Sequence, residues 1–276
     1  MDMEIDQTFR SLDEWRRWLV ANAYVKDPSV IAGWAEHCSK QGALSDFHAS
    51  RSEVIVRSEN YREHVLAFGL NPRQRVVLDI LSQLYSKQAR DTLRVHLHEA
   101  ITRLALTIKG HFPYTIASEY LPDDEHKAQR FPIPHVDICH SSLPAKSFDL
   151  IISLEVLEHV PSIDAALVDM QRILKVEGRL LATFPFRYMS ASSLKRATLD
   201  GNGDVVHLLD PEYHGNPVDR EKGSLVFEIP GWDIVEKAKQ IGFSDAGFRF
   251  VGSKARGIFS KDLTGIFVFF AINYCV

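Results

Sequence analysis

The sequence predicts an α/β fold: a mostly parallel sheet of seven strands with helices on both faces, preceded by a small, mainly helical N-terminal region. After Arg94 the chain consists of short apolar runs separated by helical segments and turn residues, a pattern typical of a parallel sheet with crossover helices. The apolar runs provide the candidate strands, which are Arg94–His98, Tyr114–Ser118, His135–Asp137, Phe148–Ser153, Arg179–Phe184, Asp245–Val251 and Leu263–Asn273.

Two amphipathic helices are predicted before the sheet begins. Apolar residues recur at helical spacing over Ser11–Ala23, and Asn71–Lys87 repeats the pattern. The stretch between them, Tyr24–Leu70, has few periodic runs and is predicted to be irregular. Residues 1–90 are therefore expected to form an N-terminal cap, and residues 91–276 are expected to form the sheet domain.

Two further helices and one long insertion are expected within the sheet domain. The helix Asp164–Leu174 presents an apolar face, and Asp233–Gly242 ends at a glycine suited to the left-handed turn after a helix. Between them, residues 187–230 are rich in Gly, Asp and His. Insertions of this length inside a compact domain are usually lids or binding elements, so we expect this one to border the substrate.

The composition excludes several classes of protein. Hydrophobic residues make up 45% of the chain and charged residues 25%, as in an ordinary globular protein. The formal net charge of −4 argues against general nucleic-acid binding, which usually requires a basic surface. The strongest apolar run, Gly265–Cys275, is about half the length needed to span a bilayer. It is better interpreted as a buried strand, and no membrane association is expected.

The cysteines and the N-terminus favour a cytoplasmic location. The three cysteines are Cys38, Cys139 and Cys275, and their odd number and wide spacing fit neither a disulfide framework nor a metal site. The N-terminus is acidic and lacks the apolar core of a secretory signal. A reducing compartment is therefore expected.

The segment Val136–Pro185 carries a resemblance to a known family. It contains, in order, an acidic strand end, a Leu-Pro turn, a strand introduced by Phe-Asp, a Leu-Glu-His-Val turn, an amphipathic helix, a Lys-Val-Glu-Gly turn and another apolar strand. This order is similar to the middle of class I S-adenosylmethionine-dependent methyltransferases, in the broad group that includes ubiquinone-biosynthesis and small-molecule O-methyltransferases. The resemblance implies a Rossmann-like sheet and S-adenosylmethionine as the cofactor.

The resemblance also implies which residues contact the cofactor. Ligands of an open parallel sheet bind at the carboxyl ends of the strands. In the family, the residue at the position of Asp137 lies next to the adenine, with Ile138 as its apolar neighbour. Leu154 and Glu155 follow the central strand on the sulfonium side. An acidic residue in a solvated turn is the alternative interpretation of Asp137, and Asp149 is expected to be architectural.

The loop after the first strand of the sheet domain departs from the family pattern. The family has an acidic residue followed by Gly-x-Gly-x-Gly, because glycine lets the backbone approach the cofactor. Here Glu99 matches the acidic position, whereas Ile101, Arg103 and Ala105 stand where the glycines are expected. Thr102 is predicted to contribute its hydroxyl to the cofactor in compensation.

The next strand restores part of the cofactor signature. It ends at Glu119, where the family carries the carboxylate that binds both ribose hydroxyls, and Tyr120 follows it. Glu99, Glu119 and Asp137 then form an acidic series at three successive strand ends. Such a series suits an uncharged ribose and adenine, and it would repel the phosphates of a dinucleotide.

A Glu-x-x-Glu-His pattern follows the central strand, at Glu155, Glu158 and His159. Two carboxylates and an imidazole can hold a divalent metal. In some relatives a similar pattern does so, and in many others it is a structural turn. Because the sequence identifies no fourth ligand, we favour the turn and predict no metal site. A divalent metal remains an alternative cofactor that is not favoured.

The insertion supplies the candidate catalytic residue. Tyr213 and His214 resemble a pair that lies over the methyl group in a subset of these enzymes. His214 is predicted to act as a general base, since an imidazole with a pKa near neutrality can remove a proton from a hydroxyl. Glu212 or Asp210 is expected to orient it. The alternative interpretation is a loop histidine that caps a turn before Gly215.

The predicted activity is methyl transfer from S-adenosylmethionine to a hydroxyl of a small molecule or sugar, with O-methylation favoured over N-methylation. The predicted partner is this small-molecule acceptor. Two alternatives stay open. One is an inactive domain that serves as a scaffold or binds a protein partner. The other is a dinucleotide or nucleotide-sugar enzyme, against which the absence of a glycine-rich phosphate loop argues.

Overall fold

The structure, a computed structural model, describes residues 3–219 and 221–274, and Cys275 lies outside these ranges. Its strands in chain order are β1 (Glu4–Phe9), β2 (Ala43–Ser45), β3 (Ser50–Ser52), β4 (Ile55–Val56), β5 (Val65–Leu66), β6 (Arg94–Leu97), β7 (Tyr114–Ala117), β8 (Phe148–Leu154), β9 (Leu174–Thr183), β10 (Leu194–Lys195), β11 (Ala197–Leu199), β12 (Val205–His207), β13 (Tyr213–His214), β14 (Ser224–Leu225), β15 (Glu228–Ile229), β16 (Asp245–Ser253) and β17 (Ile266–Asn273).

Helices separate these strands along the chain. The α-helices are α1 (Leu12–Ala21), α2 (Pro28–Gln41), α3 (Tyr61–His64), α4 (Pro72–Leu84), α5 (Lys87–Arg90), α6 (Arg103–His111), α7 (Asp124–Gln129), α8 (Ile163–Ile173) and α9 (Asp233–Ile241). Short 3-10 helices occupy Ala23–Lys26 and Leu157–His159. Within the described ranges, no helix is both long and apolar enough to cross a membrane.

Seven strands form the central sheet, in the order β1-β16-β17-β9-β8-β6-β7. The neighbours β7, β6, β8 and β9 are parallel, whereas β1 pairs antiparallel with β16. The predicted α/β class with a seven-stranded, mostly parallel sheet is therefore confirmed. Strand β8 shows the physical basis, because every residue in it except Asp149 is buried, as expected of a central strand covered on both faces.

The predicted strand at His135–Asp137 is wrong. The chain there makes only an isolated bridge, between His135 and Glu119. Pro132 and Pro134 precede it, and proline has no N–H group to extend a ladder of hydrogen bonds. The sheet consequently gains its seventh strand from β1, in the region that the sequence predicts to be helical or irregular.

Helix α2 lies in the stretch that the sequence predicts to be irregular. Asp27 caps it by accepting a hydrogen bond from the backbone nitrogen of Ser29 at 2.8 Å, and Pro28 occupies the first turn, where its missing N–H group is not needed. Its buried residues follow a helical spacing, at Ile31, Trp34, Ala35 and Cys38. The helical spacing of apolar residues was therefore present in the sequence, on one face of α2.

The chain divides into two compact units. Unit 1 comprises Met1–Arg90 and Gly247–Phe269, and unit 2 comprises Asp91–Ala246 and Phe270–Val276. Unit 1 includes the residues of β1 and those of β16 that pair with it, residues 248–253. The predicted cap of residues 1–90 and sheet domain of residues 91–276 stay predictions.

Unit 1 has an aromatic core. The ring of Trp15, which is fully buried, lies 5.3 Å from that of Phe9, 5.2 Å from that of Phe250 and 4.9 Å from that of Phe267, in edge-to-face contacts. These contacts join α1 to β1, β16 and β17 within the unit.

Unit 2 contains all the residues that the sequence nominates for cofactor or substrate. The predicted architectural role of Asp149 agrees with its contacts, since its carboxylate accepts hydrogen bonds from the backbone of Arg94 at 2.8 Å and from Nζ of Lys175 at 2.8 and 2.9 Å. Helix α9 ends where predicted, because Gly242 follows it in the left-handed conformation with φ of 119°.

Candidate active site

The loop after β6 is shorter than the sequence predicts. Helix α6 begins at Arg103, and the hydroxyl of Thr102 caps it by accepting a hydrogen bond from the backbone nitrogen of Ala105 at 3.1 Å. Arg103 and Ala105 therefore lie in the helix, and their assignment to glycine positions of the loop is wrong. The loop consists of residues 98–102. Of the three residues predicted at glycine positions, only Ile101 lies in it.

Glu119 binds this loop directly. Its Oε1 accepts hydrogen bonds from the backbone nitrogens of Ala100 at 2.7 Å and Ile101 at 3.2 Å. Burial raises the pKa of the Glu119 carboxyl, and the two amide donors oppose that shift. In the same loop Glu99 is buried, with 9% of its surface exposed. The segment after β7 is thus hydrogen-bonded to the loop after β6.

Tyr120 and Asp137 lie in the chain segment that follows Glu119. Tyr120 is exposed and contacts the ring of His135 edge-on, with 5.4 Å between centroids. The Oδ1 atom of Asp137 accepts a hydrogen bond from the backbone nitrogen of Cys139 at 2.8 Å, which forms a tight turn, and Ile138 between them is buried. The turn interpretation of Asp137 thus has a structural basis, and its contact with adenine stays a prediction.

Strand β8 ends at Leu154, which is buried, and Glu155 follows in a left-handed conformation with φ of 55°. The backbone nitrogen of Glu155 donates to the carbonyl of Thr183 at 2.7 Å, and its Oε1 accepts from the Thr183 hydroxyl at 3.0 Å. A left-handed non-glycine residue costs about 1–3 kcal/mol and persists where the surroundings fix it. Here the neighbouring strand β9 fixes it.

A buried carboxylate lies one turn further along the chain. The side chain of Glu158, in the 3-10 helix after β8, is completely inaccessible to solvent. Within the described part of the chain, neither of its oxygens has a hydrogen-bond partner. Burial raises the pKa of Glu158, and the nearby charge of Glu155 adds to that shift.

Two histidines face this carboxylate. The Oε1 atom of Glu158 lies 3.6 Å from Nε2 of His159 and 3.9 Å from Nδ1 of His214. The two imidazole rings are nearly perpendicular, with 5.1 Å between centroids. Burial lowers the pKa of His159, whereas the carboxylates of Glu158 and Glu212 raise that of His214. One ligand atom from each of Glu158, His159 and His214 lies within 4.8 Å of the others.

The insertion is hydrogen-bonded to this cluster. The backbone nitrogen of Phe227 donates to the carbonyl of Glu158 at 2.8 Å, and the carbonyl of Leu225 accepts from Nδ1 of His159, also at 2.8 Å. The expectation that Glu212 orients His214 agrees with the 3.1 Å between its Oε1 and Nε2 of His214. Residues of the insertion thus contact the turn after β8, and that the insertion borders the substrate stays a prediction.

A second pair of histidines, not predicted from the sequence, lies at the end of β6. His96 on β6 and His98 just after it are buried, and Nε2 of His96 lies 3.0 Å from the hydroxyl of Ser118 while its Nδ1 lies 3.3 Å from Nε2 of His98. Burial lowers the pKa of His96 to about 4. Burial, with the neighbouring His96, also lowers the pKa of His98 well below its usual value. The two histidines alternate with buried apolar residues, and this alternation is the sequence pattern that could have predicted that both lie on one face of the strand.

The comparison with protein families identifies the domain. Residues 109–182 match the family model described as a methyltransferase domain. The match runs from α6 to β9 and begins after the glycine-free loop. The match covers about a quarter of the chain and makes residues 109–182 similar to methyltransferase domains. Together with the strand order of the sheet, it supports methyl transfer as the activity and S-adenosylmethionine as the cofactor.

Solved structures of similar fold include several methyltransferases. An S-adenosylmethionine-dependent methyltransferase from Mesorhizobium loti is 14% identical, with a TM-score of 0.47 over 74% of this chain and 100% of that one. The 1,6-didemethyltoxoflavin-N1-methyltransferase of Burkholderia thailandensis, bound to its substrate and S-adenosylhomocysteine, is 15% identical, with a TM-score of 0.39 over 71% of this chain and 77% of that one.

One similar structure is described as having a different activity. The [4+2]-cyclase SpnF is 14% identical, with a TM-score of 0.42 over 89% of this chain and 93% of that one. Likenesses at this distance do not bear on the methyl acceptor. No curated protein matches the chain in sequence.

Proposed function

We propose that the domain transfers the methyl group of S-adenosylmethionine to a hydroxyl of a small-molecule or sugar acceptor. The observation that carries this proposal is the cluster of Glu158, His159 and His214, which follows directly on the strand end where the sulfonium is expected. Carboxylate and imidazole groups can hold a hydroxyl and promote the loss of its proton. An acceptor nitrogen with a lone pair would not need them.

The proposed cofactor contacts are those that the sequence nominates. They come from the loop after β6, the end of β7, the turn at Asp137 and the end of β8, and they are Glu99, Thr102, Glu119, Tyr120, Asp137, Ile138, Leu154 and Glu155. Among the described residues, Glu119 uses only Oε1 in its bonds to the loop. Because Oε2 makes no bond to the loop, it can accept a hydrogen bond from a ribose hydroxyl, which supports the proposed role of this carboxylate.

The proposed reaction is a direct displacement. The acceptor oxygen forms a bond to the methyl carbon as the carbon–sulfur bond breaks. The electron pair of that bond stays on sulfur, so the sulfonium becomes the thioether of S-adenosylhomocysteine, and the hydroxyl proton passes to His214, the proposed general base. The protein contributes mainly by aligning the two reactants and excluding water. His214 is proposed to contact the acceptor hydroxyl, and its action as a general base stays a prediction.

The acceptor class is tested with a panel of hydroxylated and aminated small molecules. Each is incubated with enzyme and S-adenosylmethionine, and mass spectrometry records both the methylated product and S-adenosylhomocysteine. The proposal expects a methyl ether, formed by the wild-type enzyme and greatly reduced in His214→Ala. Methylation confined to nitrogen acceptors, with His214→Ala as active as the wild type, would contradict it.

A further inference from the structure

The insertion exposes a group of large apolar side chains within one short segment, residues 199–209. Each of the five has between 39% and 51% of its surface exposed, and they are Leu199, Val205, Val206, Leu208 and Leu209. Single exposed apolar residues are common on protein surfaces, whereas apolar residues that lie together indicate a binding surface. We call these five residues the apolar group of the insertion.

Strands β11 and β12 hold part of this group in a regular arrangement. Leu199 lies directly opposite Val205 in the antiparallel pair, so their side chains share one face of the hairpin. The turn between the strands is closed by Asp200, whose Oδ1 accepts a hydrogen bond from the backbone nitrogen of Asp204 at 3.0 Å. The apolar side chains are therefore presented by a formed hairpin rather than by an irregular loop.

The base of the hairpin is connected to the proposed catalytic histidine. The backbone nitrogens of Leu208 and Leu209 donate to the carbonyl of Arg196, at 2.8 and 3.1 Å. Nε of Arg196 lies 3.1 Å from Oε2 of Glu212, and the other carboxylate oxygen of Glu212 lies 3.1 Å from Nε2 of His214. One arginine and one carboxylate thus link the apolar group to His214.

The other end of the same segment reaches the proposed cofactor contacts. The carbonyl of Val218 accepts a hydrogen bond from a terminal guanidinium nitrogen of Arg130 at 3.1 Å. The charge of Arg130 opposes the rise that burial causes in the pKa of Glu119, the carboxylate proposed to bind ribose. The insertion therefore runs from the cluster at His214 to the neighbourhood of the cofactor, so its apolar group adjoins the position proposed for the acceptor.

Charge distinguishes between the molecules that could cover the apolar group. Residues 197–219 contain five carboxylates and no lysine or arginine, and the carboxylates are Asp200, Asp204, Asp210, Glu212 and Asp219. An anionic membrane surface attracts basic segments, so it would be repelled here, and so would an anionic acceptor. A second copy related by a twofold axis would bring two identical acidic segments together. An uncharged apolar molecule meets neither obstacle.

We propose that the apolar group of the insertion binds the apolar body of the methyl acceptor, and that the acceptor is an uncharged, largely hydrocarbon molecule with a hydroxyl rather than a sugar. This inference rests on the proposed function, because it names the substrate class of the same site. Small-molecule sites typically combine apolar walls, which provide affinity, with a few polar groups that fix orientation. Here the hairpin provides the first, and Glu158, His159 and His214 provide the second.

The first test measures binding of an uncharged apolar dye, Nile red, to the whole protein by fluorescence. The double variant Leu199→Ser with Val205→Ser should bind the dye about 10-fold more weakly than the wild type, because the apolar surface of two side chains is lost. Both residues are exposed, so the variant is expected to fold normally. Val168→Ser, which alters an exposed valine of α8, is the matched control. Equal binding by wild type and double variant would overturn the proposal.

The second test displaces the dye with straight-chain primary alcohols of increasing length. Each added methylene should lower the dissociation constant about fourfold in the wild type, the ratio that removal of a methylene from water gives. The dependence should be weaker in the double variant, and glucose should not displace the dye. A dissociation constant that is independent of chain length, or displacement by glucose, would contradict the proposal.

Two further measurements exclude the other molecules that could cover the hairpin. The wild type should not sediment with vesicles of phosphatidylcholine, alone or mixed with phosphatidylserine. Its sedimentation coefficient in analytical ultracentrifugation should equal that of the double variant. Vesicle binding that the double variant loses would identify a membrane surface instead, and a dimer that the double variant loses would identify a second copy. Either result would overturn the proposal.

The inference and the proposed function fail in different ways. If the dye and the alcohols bind as expected but methylation is confined to nitrogen acceptors, the apolar site stands and the proposed function is wrong. If sugars are methylated on oxygen equally well by the wild type and the double variant, the proposed function stands and the apolar acceptor is wrong.

Discussion

Glu119 holds the backbone of Ala100, with 2.7 Å between its Oε1 and the amide nitrogen. The same oxygen accepts from Ile101 at 3.2 Å. A loop without glycine is thereby fixed by an acidic side chain from the neighbouring strand, and the side chain that is proposed to bind ribose also shapes the loop that is proposed to border the cofactor.

Replacing Glu119 with glutamine should weaken the binding of S-adenosylhomocysteine. Glutamine keeps one oxygen for the loop amides but loses the negative charge. Hydrogen bonds to charged groups contribute about 1.5–3 kcal/mol, so we expect roughly 10- to 100-fold weaker binding by calorimetry with little change in thermal stability. Glu125→Gln, in the exposed helix α7, is the matched control. Unchanged affinity in Glu119→Gln would show that this carboxylate serves the loop alone.

Replacing Asp137 with serine separates the two interpretations of this residue. A serine hydroxyl can still accept from the backbone nitrogen of Cys139 and keep the turn, but it is too short to reach the adenine. We expect S-adenosylhomocysteine to bind about 10-fold more weakly, because one hydrogen bond to a charged group is lost. The melting temperature should stay the same. A variant that binds like the wild type would assign Asp137 to the turn only.

Replacing His214 with alanine should lower the turnover number without weakening cofactor binding. Its side chain faces Glu158 and Glu212, neither of which is among the proposed cofactor contacts. General acid–base groups contribute about 10²–10⁴-fold, so a loss of at least 10²-fold in kcat is expected once an acceptor is identified. His207→Ala is the control. A lowered affinity for S-adenosylhomocysteine at unchanged kcat would contradict this role.

The contribution of His96 to stability should fall as the pH drops below about 6.5. Burial lowers the pKa of His96 from 6.5 in the unfolded chain to about 4 in the folded one. Between these values the unfolded state binds the proton and the folded state does not, so acid favours unfolding. His96 contributes on the order of 3 kcal/mol above pH 6.5, lost progressively towards pH 4.

Urea unfolding at pH 7 and pH 5 measures this dependence. In His96→Gln the unfolding free energy at pH 5, relative to that at pH 7, should be higher than in the wild type, whereas replacement of the exposed His111 with glutamine should leave this relation unchanged. An equal pH dependence in wild type and His96→Gln would show that His96 is not held neutral by burial.

The sequence predicted those parts of the fold that depend on long apolar patterns. Strand β8 and helix α8 were placed almost to the residue, because one is buried on both faces and the other has a continuous apolar face. The predicted extent of the loop after β6 was wrong because it followed the family's glycine spacing. The hydroxyl of Thr102, which caps α6, indicates a shorter loop. The cap fixes where α6 begins, and hence where the loop ends.

The candidate site was predicted only in parts. The pairing of His214 with Glu212 follows from their closeness in sequence, and it was expected. The contact of His214 with Glu158 was not, because it depends on how the insertion folds back onto the turn after β8. Nothing in the sequence pattern encodes that path, and so the approach of His214 to Glu158 was not predicted.

Calorimetric titration with S-adenosylhomocysteine tests the central claim most directly, since the family match begins after the loop that is proposed to border the cofactor. We expect about one molecule bound per chain, with a dissociation constant of roughly micromolar order, weaker binding in Glu119→Gln and no heat from NAD. A folded protein that binds neither S-adenosylhomocysteine nor S-adenosylmethionine would contradict it, and would indicate an inactive scaffold.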